Sequence, residues 1–119
     1  MYEIAVEDTF DAAHYLRNYQ GSCERLHGHT YKVQLVLRSA ELDETGIAAD
    51  FREVKTALRE AVAALDHQCL NDLVPFAEIN PSAENLARYL FDSLRPALSV
   101  SLHRVTVWET PTTSATYFE

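Results

Sequence analysis

Apolar and polar side chains alternate in two stretches near the start of the chain. In residues 2–14 the even positions are apolar or aromatic except for Asp8, while several odd positions are acidic. In residues 27–38 the odd positions carry histidine, tyrosine or aliphatic side chains, with polar residues between most of them. A period of two places successive side chains on opposite faces of a strand. The pattern predicts two strands and favours their antiparallel pairing across a long loop, residues 15–26.

Two later stretches follow helical spacing. In residues 50–65 apolar side chains recur at intervals of three and four, and Glu53 stands where the reciprocal partner of an Asp50 cap belongs. In residues 80–95 leucines recur every four positions, Pro81 suits a first helical position, and a second proline ends the pattern. Both stretches are expected to be amphipathic helices.

The end of the chain returns to strands. Residues 102–110 alternate again, and residues 115–119 suit a short last strand after the turn-like sequence at 111–114. The order is strand, strand, helix, helix, strand, strand. Segregation of this kind is typical of an α+β domain in which helices cover one face of a sheet. We expect a single domain over residues 1–119.

The composition disfavours some classes of partner. The chain has 119 residues, of which 47% are hydrophobic, and 18 acidic against 10 basic residues give a net charge of −8. A charge of this sign disfavours nucleic acid and anionic membrane surfaces. The sequence starts without a secretory leader pattern, and no stretch approaches the roughly 20 apolar residues of a membrane span. We expect a cytoplasmic protein in which Cys23 and Cys69 remain thiols.

Three histidines are candidate metal ligands. His27 and His29 stand two positions apart, so both project from one face of a strand. His14 ends the matching face of the preceding strand, and an antiparallel hairpin would bring it beside them. Three neutral imidazoles and one vacant position describe a catalytic Zn²⁺ site. The alternative is three unrelated polar residues beside a loop, because a His-x-His spacing is common by chance.

Cys23 lies in the connecting loop, four residues before His27. Its thiol could therefore reach the edge of a substrate held at the metal, and a nearby cation or base would make the thiolate available at neutral pH. The alternative is an inert loop cysteine. Cys69 has no such neighbourhood and is expected to be structural.

Three further side chains could carry chemistry. Asp66 and His67 follow the first helix and offer an imidazole base oriented by a carboxylate. Glu109 shares a strand face with Val105 and Val107, so its carboxylate stands where the face is otherwise apolar and needs a partner. A planar heterocycle with adjacent ring N–H and amino donors would satisfy it through two parallel hydrogen bonds. The alternative is a glutamate at a strand end that reaches solvent or an arginine.

An ordered set of motifs runs through almost the whole chain. The motifs are His14, Cys23-Glu24-Arg25-Leu26-His27-Gly28-His29, Ala49-Asp50-Phe51, Leu65-Asp66-His67, Leu70-Asn71, Asn80-Pro81-Ser82-Ala83-Glu84-Asn85-Leu86-Ala87 and Glu109-Thr110. In this order they resemble the 6-pyruvoyl-tetrahydropterin synthase family. The resemblance implies a tunnelling fold, in which a four-stranded antiparallel sheet packs against two helices. It also implies a homo-oligomer, usually a hexamer of two trimers, with sites at subunit interfaces.

The resemblance also implies roles for individual side chains. It makes His14, His27 and His29 the zinc ligands. It makes Cys23 the proton-transferring thiol, Asp66 and His67 the acid and base partners, and Glu109 and Ser82 the residues that bind the pterin. The position after Ser82, often serine or threonine in the family, is Ala83 here, so that hydroxyl is absent. The sequence does not choose among the basic residues available for a triphosphate: Arg17, Arg25, Lys32, Arg52, Lys55 and Arg104.

The chemistry implied by the resemblance starts from 7,8-dihydroneopterin triphosphate. Zinc would hold the side-chain oxygens and acidify the adjacent C–H, while Cys23 and His67 move protons. In the carboxy-forming branch, cleavage of a side-chain carbon–carbon bond releases acetaldehyde and triphosphate and leaves 6-carboxy-5,6,7,8-tetrahydropterin, a precursor of queuosine. The pyruvoyl-forming branch stops after triphosphate elimination and an internal redox rearrangement.

Local features of the motif region bear on the choice of branch. The compact chain and the three-residue spacer between Cys23 and His27 resemble the carboxy-forming branch. Glu24 keeps open an aldolase-like cleavage that leaves a hydroxymethyl pterin. The alternative from another class is a non-catalytic, zinc-stabilised oligomer. Cys23 argues against that alternative, because a structural zinc site does not need a thiol outside its coordination shell.

Overall fold

The computed structural model describes all 119 residues, and its helices and strands follow the predicted order apart from one short additional strand. They are β1 (Tyr2–His14), β2 (His27–Ser39), α1 (Phe51–Ala63), β3 (Gln68–Cys69), α2 (Ala83–Leu94), β4 (Ser101–Thr110) and β5 (Thr113–Phe118). Short 3₁₀ turns lie in the connections, one of them at Ser22–Glu24 between β1 and β2. The predicted strands and helices are confirmed, with ends that shift by one or two residues.

The sheet has five strands in the order β3, β1, β2, β4, β5. The four long strands pair antiparallel, as expected for the α+β architecture. β3 was not predicted, because two residues are too few to show a period. It pairs parallel to β1 at Ala12 and Ala13. The sheet is thus the expected four-stranded antiparallel one with a short addition beyond β1.

Both helices pack on one face of the sheet. Each buries an aliphatic stripe: Val54, Leu58 and Val62 on α1, and Leu86, Leu90 and Leu94 on α2. These side chains meet the buried faces of β1, β2 and β4 in one core cluster. Full burial of such a side chain contributes about 1.5–3 kcal/mol relative to exposure. This sheet face is apolar along most of its length, so any polar group on it needs a partner.

Each helix begins at a side-chain cap. Asp50 accepts a hydrogen bond from the N–H of Arg52 at 2.9 Å, and Ser82 Oγ accepts one from the N–H of Asn85 at 3.2 Å. These caps satisfy backbone donors that a helix start leaves free. The prediction that Pro81 takes the first helical position is wrong: α2 begins directly after Ser82, so Pro81 precedes the cap. Neither helix is long and apolar enough to cross a membrane.

The register of the β1–β2 hairpin decides where the histidines lie. His14 pairs with His27 at the loop end of the ladder, and Ala12 lies opposite His29. Residues directly opposite each other in an antiparallel ladder project from the same face. All three imidazoles therefore project from the core-facing side of the sheet, where the apolar face ends.

Candidate active site

Three imidazoles meet at the loop end of the β1–β2 hairpin. One metal-binding nitrogen from each lies within 4.8 Å of the others. The ring centroid of His14 is 4.6 Å from that of His27 and 5.1 Å from that of His29, and the latter two are 4.8 Å apart. His14 is only 1% exposed, whereas the other two are partly buried. The structure thus brings together the three side chains that the sequence indicated as metal ligands.

Two backbone carbonyls fix the tautomers in this imidazole cluster. Nδ1 of His14 lies 2.7 Å from the carbonyl oxygen of Pro81, and Nδ1 of His27 lies 2.6 Å from that of Arg25. A carbonyl oxygen only accepts, so each Nδ1 carries a proton and donates it. In a neutral imidazole this leaves the lone pair on Nε2, the arrangement of a metal-binding histidine whose other nitrogen is held by a carbonyl.

The acceptor nitrogens of the imidazole cluster face one another. Nε2 of His14 and Nε2 of His27 are 3.0 Å apart, and the buried Nε2 of His29 has no hydrogen-bond partner. Burial lowers the pKa of His14 and that of His29, which disfavours a protonated imidazole here. A proton shared between the two nitrogens is therefore not the favoured way to offset the repulsion of their lone pairs. A divalent cation satisfies such nitrogens at once, at Zn–N distances of about 2.0–2.1 Å. The donor set fits a metal ion that imidazole binds well, such as Zn²⁺.

A carboxylate stands beside the imidazole cluster. Glu109, near the end of β4, places Oε1 3.8 Å from Nε2 of His14, and its side chain is 29% exposed. Its charge raises the pKa of His14 and of His29, in opposition to the larger effect of burial. The sequence predicted a carboxylate here in need of a partner. The structure places that carboxylate next to the imidazoles with part of its surface open to a ligand.

Tyr31 is a neighbour of the site that sequence reasoning missed. Its ring stacks on Phe10 with centroids 4.8 Å apart and lies edge-on to the rings of His14 and His29. Its hydroxyl is buried without a partner, and burial, together with the charge of Glu109, raises its pKa. Tyr31 therefore stays protonated beside the imidazoles. The signal for it was available, because Tyr31 continues the odd-numbered face that carries His27 and His29.

Asp66 and His67 form a second, exposed cluster near the edge of the sheet. Nδ1 of His67 lies 2.8 Å from Oδ2 of Asp66, and the His67 side chain is 78% exposed. The carboxylate raises the pKa of His67. The pKa of Asp66 is in turn lowered, first by the N–H of Asp11 and then by His67. The geometry provides the carboxylate-oriented imidazole that the sequence suggested.

The main chain of Asp11 anchors this pair to β1. Its N–H donates to Oδ1 of Asp66 at 2.9 Å, and its carbonyl accepts from the N–H of His67 at 2.6 Å. His67 has a φ of 57°, a left-handed conformation that a residue with a side chain keeps only under local constraint. Asp66 and His67 do not join the imidazole cluster. However, His29 and His67 line one shallow surface depression.

The two cysteines are both free thiols and both partly exposed. Cys23 sits in the 3₁₀ turn Ser22–Glu24, and its carbonyl accepts from the N–H of Leu16 at 2.8 Å, so the loop folds back across its own first residues. Cys69 lies on β3 and lines the same depression as His67. The sequence analysis expected Cys69 to be structural and did not connect it with Asp66 and His67.

Ser82 was expected to contact a pterin. Its Oγ caps α2, and the carbonyl of the preceding Pro81 orients His14. The start of α2 is thus built against the imidazole cluster. A contact between Ser82 and a ligand stays a prediction.

Comparison with known proteins assigns the chain to a family. A family model described as 6-pyruvoyl tetrahydropterin synthase matches residues 3–119. The chain belongs to the 6-pyruvoyl tetrahydropterin synthase family. A 6-carboxy-5,6,7,8-tetrahydropterin synthase of Synechocystis is 38% identical over 123 residues, which cover 99% of this chain and 94% of that protein. Another, of Haemophilus influenzae, is 30% identical over 142 residues that cover 100% of both chains.

The family also appears among solved structures. The 6-pyruvoyl tetrahydropterin synthase of Caenorhabditis elegans matches with a TM-score of 0.90 and 30% identity, over 99% of this chain and 95% of that one. The tunnelling fold expected from the resemblance is confirmed by this likeness. Members of the 6-pyruvoyl tetrahydropterin synthase family are pterin-processing lyases, so the protein is an enzyme.

Proposed function

We propose that the protein is a zinc-dependent carbon–carbon lyase of the carboxy-forming branch. It converts 7,8-dihydroneopterin triphosphate and water to 6-carboxy-5,6,7,8-tetrahydropterin, acetaldehyde and triphosphate, in the cytoplasm and as a step towards queuosine. Zinc dependence rests on the facing Nε2 atoms of His14 and His27, 3.0 Å apart. The choice of branch rests on the Synechocystis and Haemophilus relatives.

Zinc would be held by His14, His27 and His29. When bound it supplies a Lewis acid that polarises the side-chain oxygens of the substrate and makes the neighbouring C–H more acidic. The chain's own part is to orient the imidazoles. The carbonyls of Pro81 and Arg25 do this for His14 and His27 by accepting hydrogen bonds from Nδ1, which leaves Nε2 free for the metal. Burial lowers the pKa of His14 and that of His29.

Glu109 would anchor the pterin ring. Its two carboxylate oxygens can accept hydrogen bonds from a ring N–H and the adjacent amino group, a bidentate arrangement that fixes the plane and direction of the ring. Because Glu109 Oε1 lies 3.8 Å from His14 Nε2, a ring bound there directs its side chain close to the imidazole cluster. Holding the reacting atoms in place is itself a large part of such catalysis.

Cys23 and His67 would move the protons. The bond from Nδ1 of His67 to Asp66 leaves Nε2 as the atom that takes or gives a proton, and the raised pKa of His67 brings that exchange nearer to neutral pH. The Cys23 thiol serves the opposite transfer. The bond that breaks joins the first and second side-chain carbons. The first carbon therefore stays on the pterin as the carboxylate, and the other two leave as acetaldehyde.

We also propose that the enzyme is a homo-oligomer, a hexamer of two trimers. β5 and most of β1 form open sheet edges, because β3 covers only Ala12 and Ala13. Open edges pair readily with another chain. The high exposure of His67 suits a group that completes the site of a neighbouring subunit. Sedimentation of the active protein tests this, and a fully active monomer would overturn it.

A second candidate reaction is formation of 6-pyruvoyl-tetrahydropterin. It is favoured by the likeness to the Caenorhabditis elegans enzyme, which is named as that synthase. Both reactions use the same zinc site, anchor and proton carriers, so the site alone does not separate them. The aldolase-like route is kept open by Glu24, which lies exposed beside Cys23.

Product analysis separates these reactions. Purified protein is incubated with 7,8-dihydroneopterin triphosphate, the pterin is identified by mass spectrometry, and acetaldehyde is measured with a coupled dehydrogenase. The proposal requires the carboxy pterin and acetaldehyde in equal amounts. Pyruvoyl pterin without acetaldehyde would assign the second candidate reaction. A hydroxymethyl pterin that is no longer formed by Glu24→Gln would assign the aldolase-like route.

A further inference from the structure

Two asparagine side chains bind the start of the Cys23 loop as if they were strand partners. Asn71 Oδ1 accepts from the N–H of Tyr15 at 3.0 Å, and Asn71 Nδ2 donates to the carbonyl of Tyr15 at 2.9 Å. Asn80 does the same for Arg17, at 2.8 Å and 3.0 Å. A side-chain amide has the donor and acceptor of a peptide group, so each asparagine satisfies both backbone groups of one residue. Residues 15 and 17 are thereby held along one edge.

The opposite edge of this stretch holds Cys23. The N–H of Leu16, between the two bound residues, donates to the carbonyl of Cys23 at 2.8 Å. Successive residues of an extended chain direct their backbone groups to opposite sides. The segment 15–17 therefore connects the asparagines on one side to the main chain of Cys23 on the other.

The chain next to Asn80 also contacts the imidazole cluster. The carbonyl of Pro81, next to Asn80, accepts from His14 Nδ1 at 2.7 Å. The carbonyl of Asn80 accepts from Nδ2 of Asn85 at 2.8 Å, which ties it to α2. Asn71 is 5% exposed, so its position is set by packing. Residues 80 and 81 thus contact both the imidazole cluster and the loop of the thiol.

We propose that Asn71 and Asn80 are positioning residues that fix the Cys23 loop relative to the imidazole cluster. The inference rests on the proposed function, in which Cys23 transfers a proton. Within residues 15–26 the only regular element is the turn Ser22–Glu24, so side-chain hydrogen bonds hold much of the loop. Besides the two amides, the guanidinium of Arg17 donates to the carbonyls of Ile79 and Asn71 at 3.2 and 3.4 Å. Displacement of a catalytic group by about 1 Å can cost roughly 100-fold in rate. Neither asparagine needs to touch the substrate to have this effect.

The test uses variants that change one half of each amide or remove it entirely. Asn80→Asp keeps the shape and the acceptor for the N–H of Arg17 but puts an oxygen against its carbonyl; Asn80→Ala removes both bonds. Asn71→Asp and Asn71→Ala form the parallel pair, and Gln20→Ala removes an exposed amide from the same loop as the matched control. Metal content, amide hydrogen exchange at residues 15–17, alkylation of Cys23 by iodoacetamide, kcat and KM are measured on each zinc-loaded protein.

The expected result is graded. In the Asn80 variants zinc content stays at the wild-type level, exchange at residues 15–17 speeds up at least about tenfold, and the rate of Cys23 alkylation changes while that of Cys69 does not. kcat falls by roughly 10- to 100-fold, with KM within about threefold of wild type, and Asp retains more activity than Ala. If Asn71→Ala fails to fold, Asn80→Asp remains decisive, because its side chain is only partly buried.

Two outcomes would overturn the inference. One is exchange and Cys23 alkylation in Asn80→Asp that match Gln20→Ala. The other is a loosened loop with unchanged kcat, which would reduce the asparagines to a structural role. Failure of the proposed function has a different signature, full turnover by Cys23→Ala. In that case exchange and alkylation in the Asn80 variants still decide whether the loop is held by these amides.

Discussion

The molecule holds the imidazole cluster and His67 in opposite ways. In the imidazole cluster, neutral backbone carbonyls accept hydrogen bonds from Nδ1 of His14 and His27, and the rings lie at the end of the apolar face. At the sheet edge a carboxylate accepts the hydrogen bond from Nδ1 of His67, whose ring is largely exposed. Burial lowers the pKa of His14, whereas Asp66 raises that of His67.

The difference shows how its surroundings can suit the same type of side chain, histidine, to two kinds of chemistry. A buried imidazole beside a neutral acceptor stays uncharged, and its free Nε2 is ready to coordinate a metal. An exposed imidazole beside a carboxylate gains a proton more easily and exchanges it with solvent or substrate. Burial and the charge of the Nδ1 partner, read together, therefore separate a candidate ligand from a candidate acid or base.

The largest effect is expected from the buried group. His27→Ala and His29→Ala each remove a nitrogen from the imidazole cluster, so we expect loss of bound zinc and a fall in turnover of ~10³-fold or more. Metal analysis after gel filtration and an acetaldehyde assay measure this. His103→Ala, a histidine outside both clusters, is the control. Full zinc occupancy in both variants would mean that the cluster is not the metal site.

The thiol should matter for turnover but not for the metal. We expect Cys23→Ala to fold and keep its zinc while turnover falls by roughly 10²–10⁴-fold, the usual range for loss of a general acid or base. Steady-state rates and metal content, measured on one preparation, check both halves. Cys69→Ala should remain active. Loss of zinc from Cys23→Ala would instead make the thiol a ligand.

The exposed pair predicts a pH dependence of defined sign. The pKa of His67 is raised above its ordinary 6.5, so the pair stabilises the fold fully below that value. The contribution is lost as the pH rises through the folded pKa. Asp66→Asn should lower the pKa of His67 and remove this dependence, with zinc unchanged. An NMR titration of the His67 ring measures the shift, and an unmoved titration would show that the carboxylate does not control it.

The smallest effect is expected at the buried hydroxyl next to the imidazoles. Tyr31 OH has no partner, and an unpaired buried polar group is costly. Tyr31→Phe removes the oxygen while keeping the ring that stacks on Phe10. We expect the free energy of unfolding of the metal-loaded protein to rise by up to about 1 kcal/mol, as measured by urea denaturation. A clear decrease would show that the hydroxyl has a bonding partner after all.

The sequence predicted the imidazole cluster well because its cause is local. A period of two places His27 and His29 on one face, and a hairpin needs only the matching period in the first strand to bring His14 opposite. The two amphipathic helices followed from spacing in the same way. Local periodicity in the sequence was enough to predict the parts of the fold that carry the imidazole cluster.

The remaining contacts depend on three-dimensional placement. β3 follows His67, where a left-handed φ turns the chain towards β1. A single residue in this conformation leaves no periodic pattern in the sequence. Asn71 and Asn80 act as strand partners for residues far away in the chain, and their motifs alone did not indicate that role. The helix start at Ser82 was misplaced because proline also fits the position before a cap. Sequence patterns therefore mainly fail to predict side chains that bond to backbone groups in place of a neighbouring strand.

His14 and His27 form the last pair of the β1–β2 ladder, at the mouth of the loop that carries Cys23. An ion shared by these two rings is also a crosslink that closes the hairpin. Binding to the folded chain alone raises its apparent stability by about 2.7 kcal/mol when the free metal is at a hundred times Kd. Removal of the metal should loosen the loop before the core. In a metal-starved cell we therefore expect proteases to cut the opened loop, so that supply of the ion sets the lifetime of the protein as well as its activity.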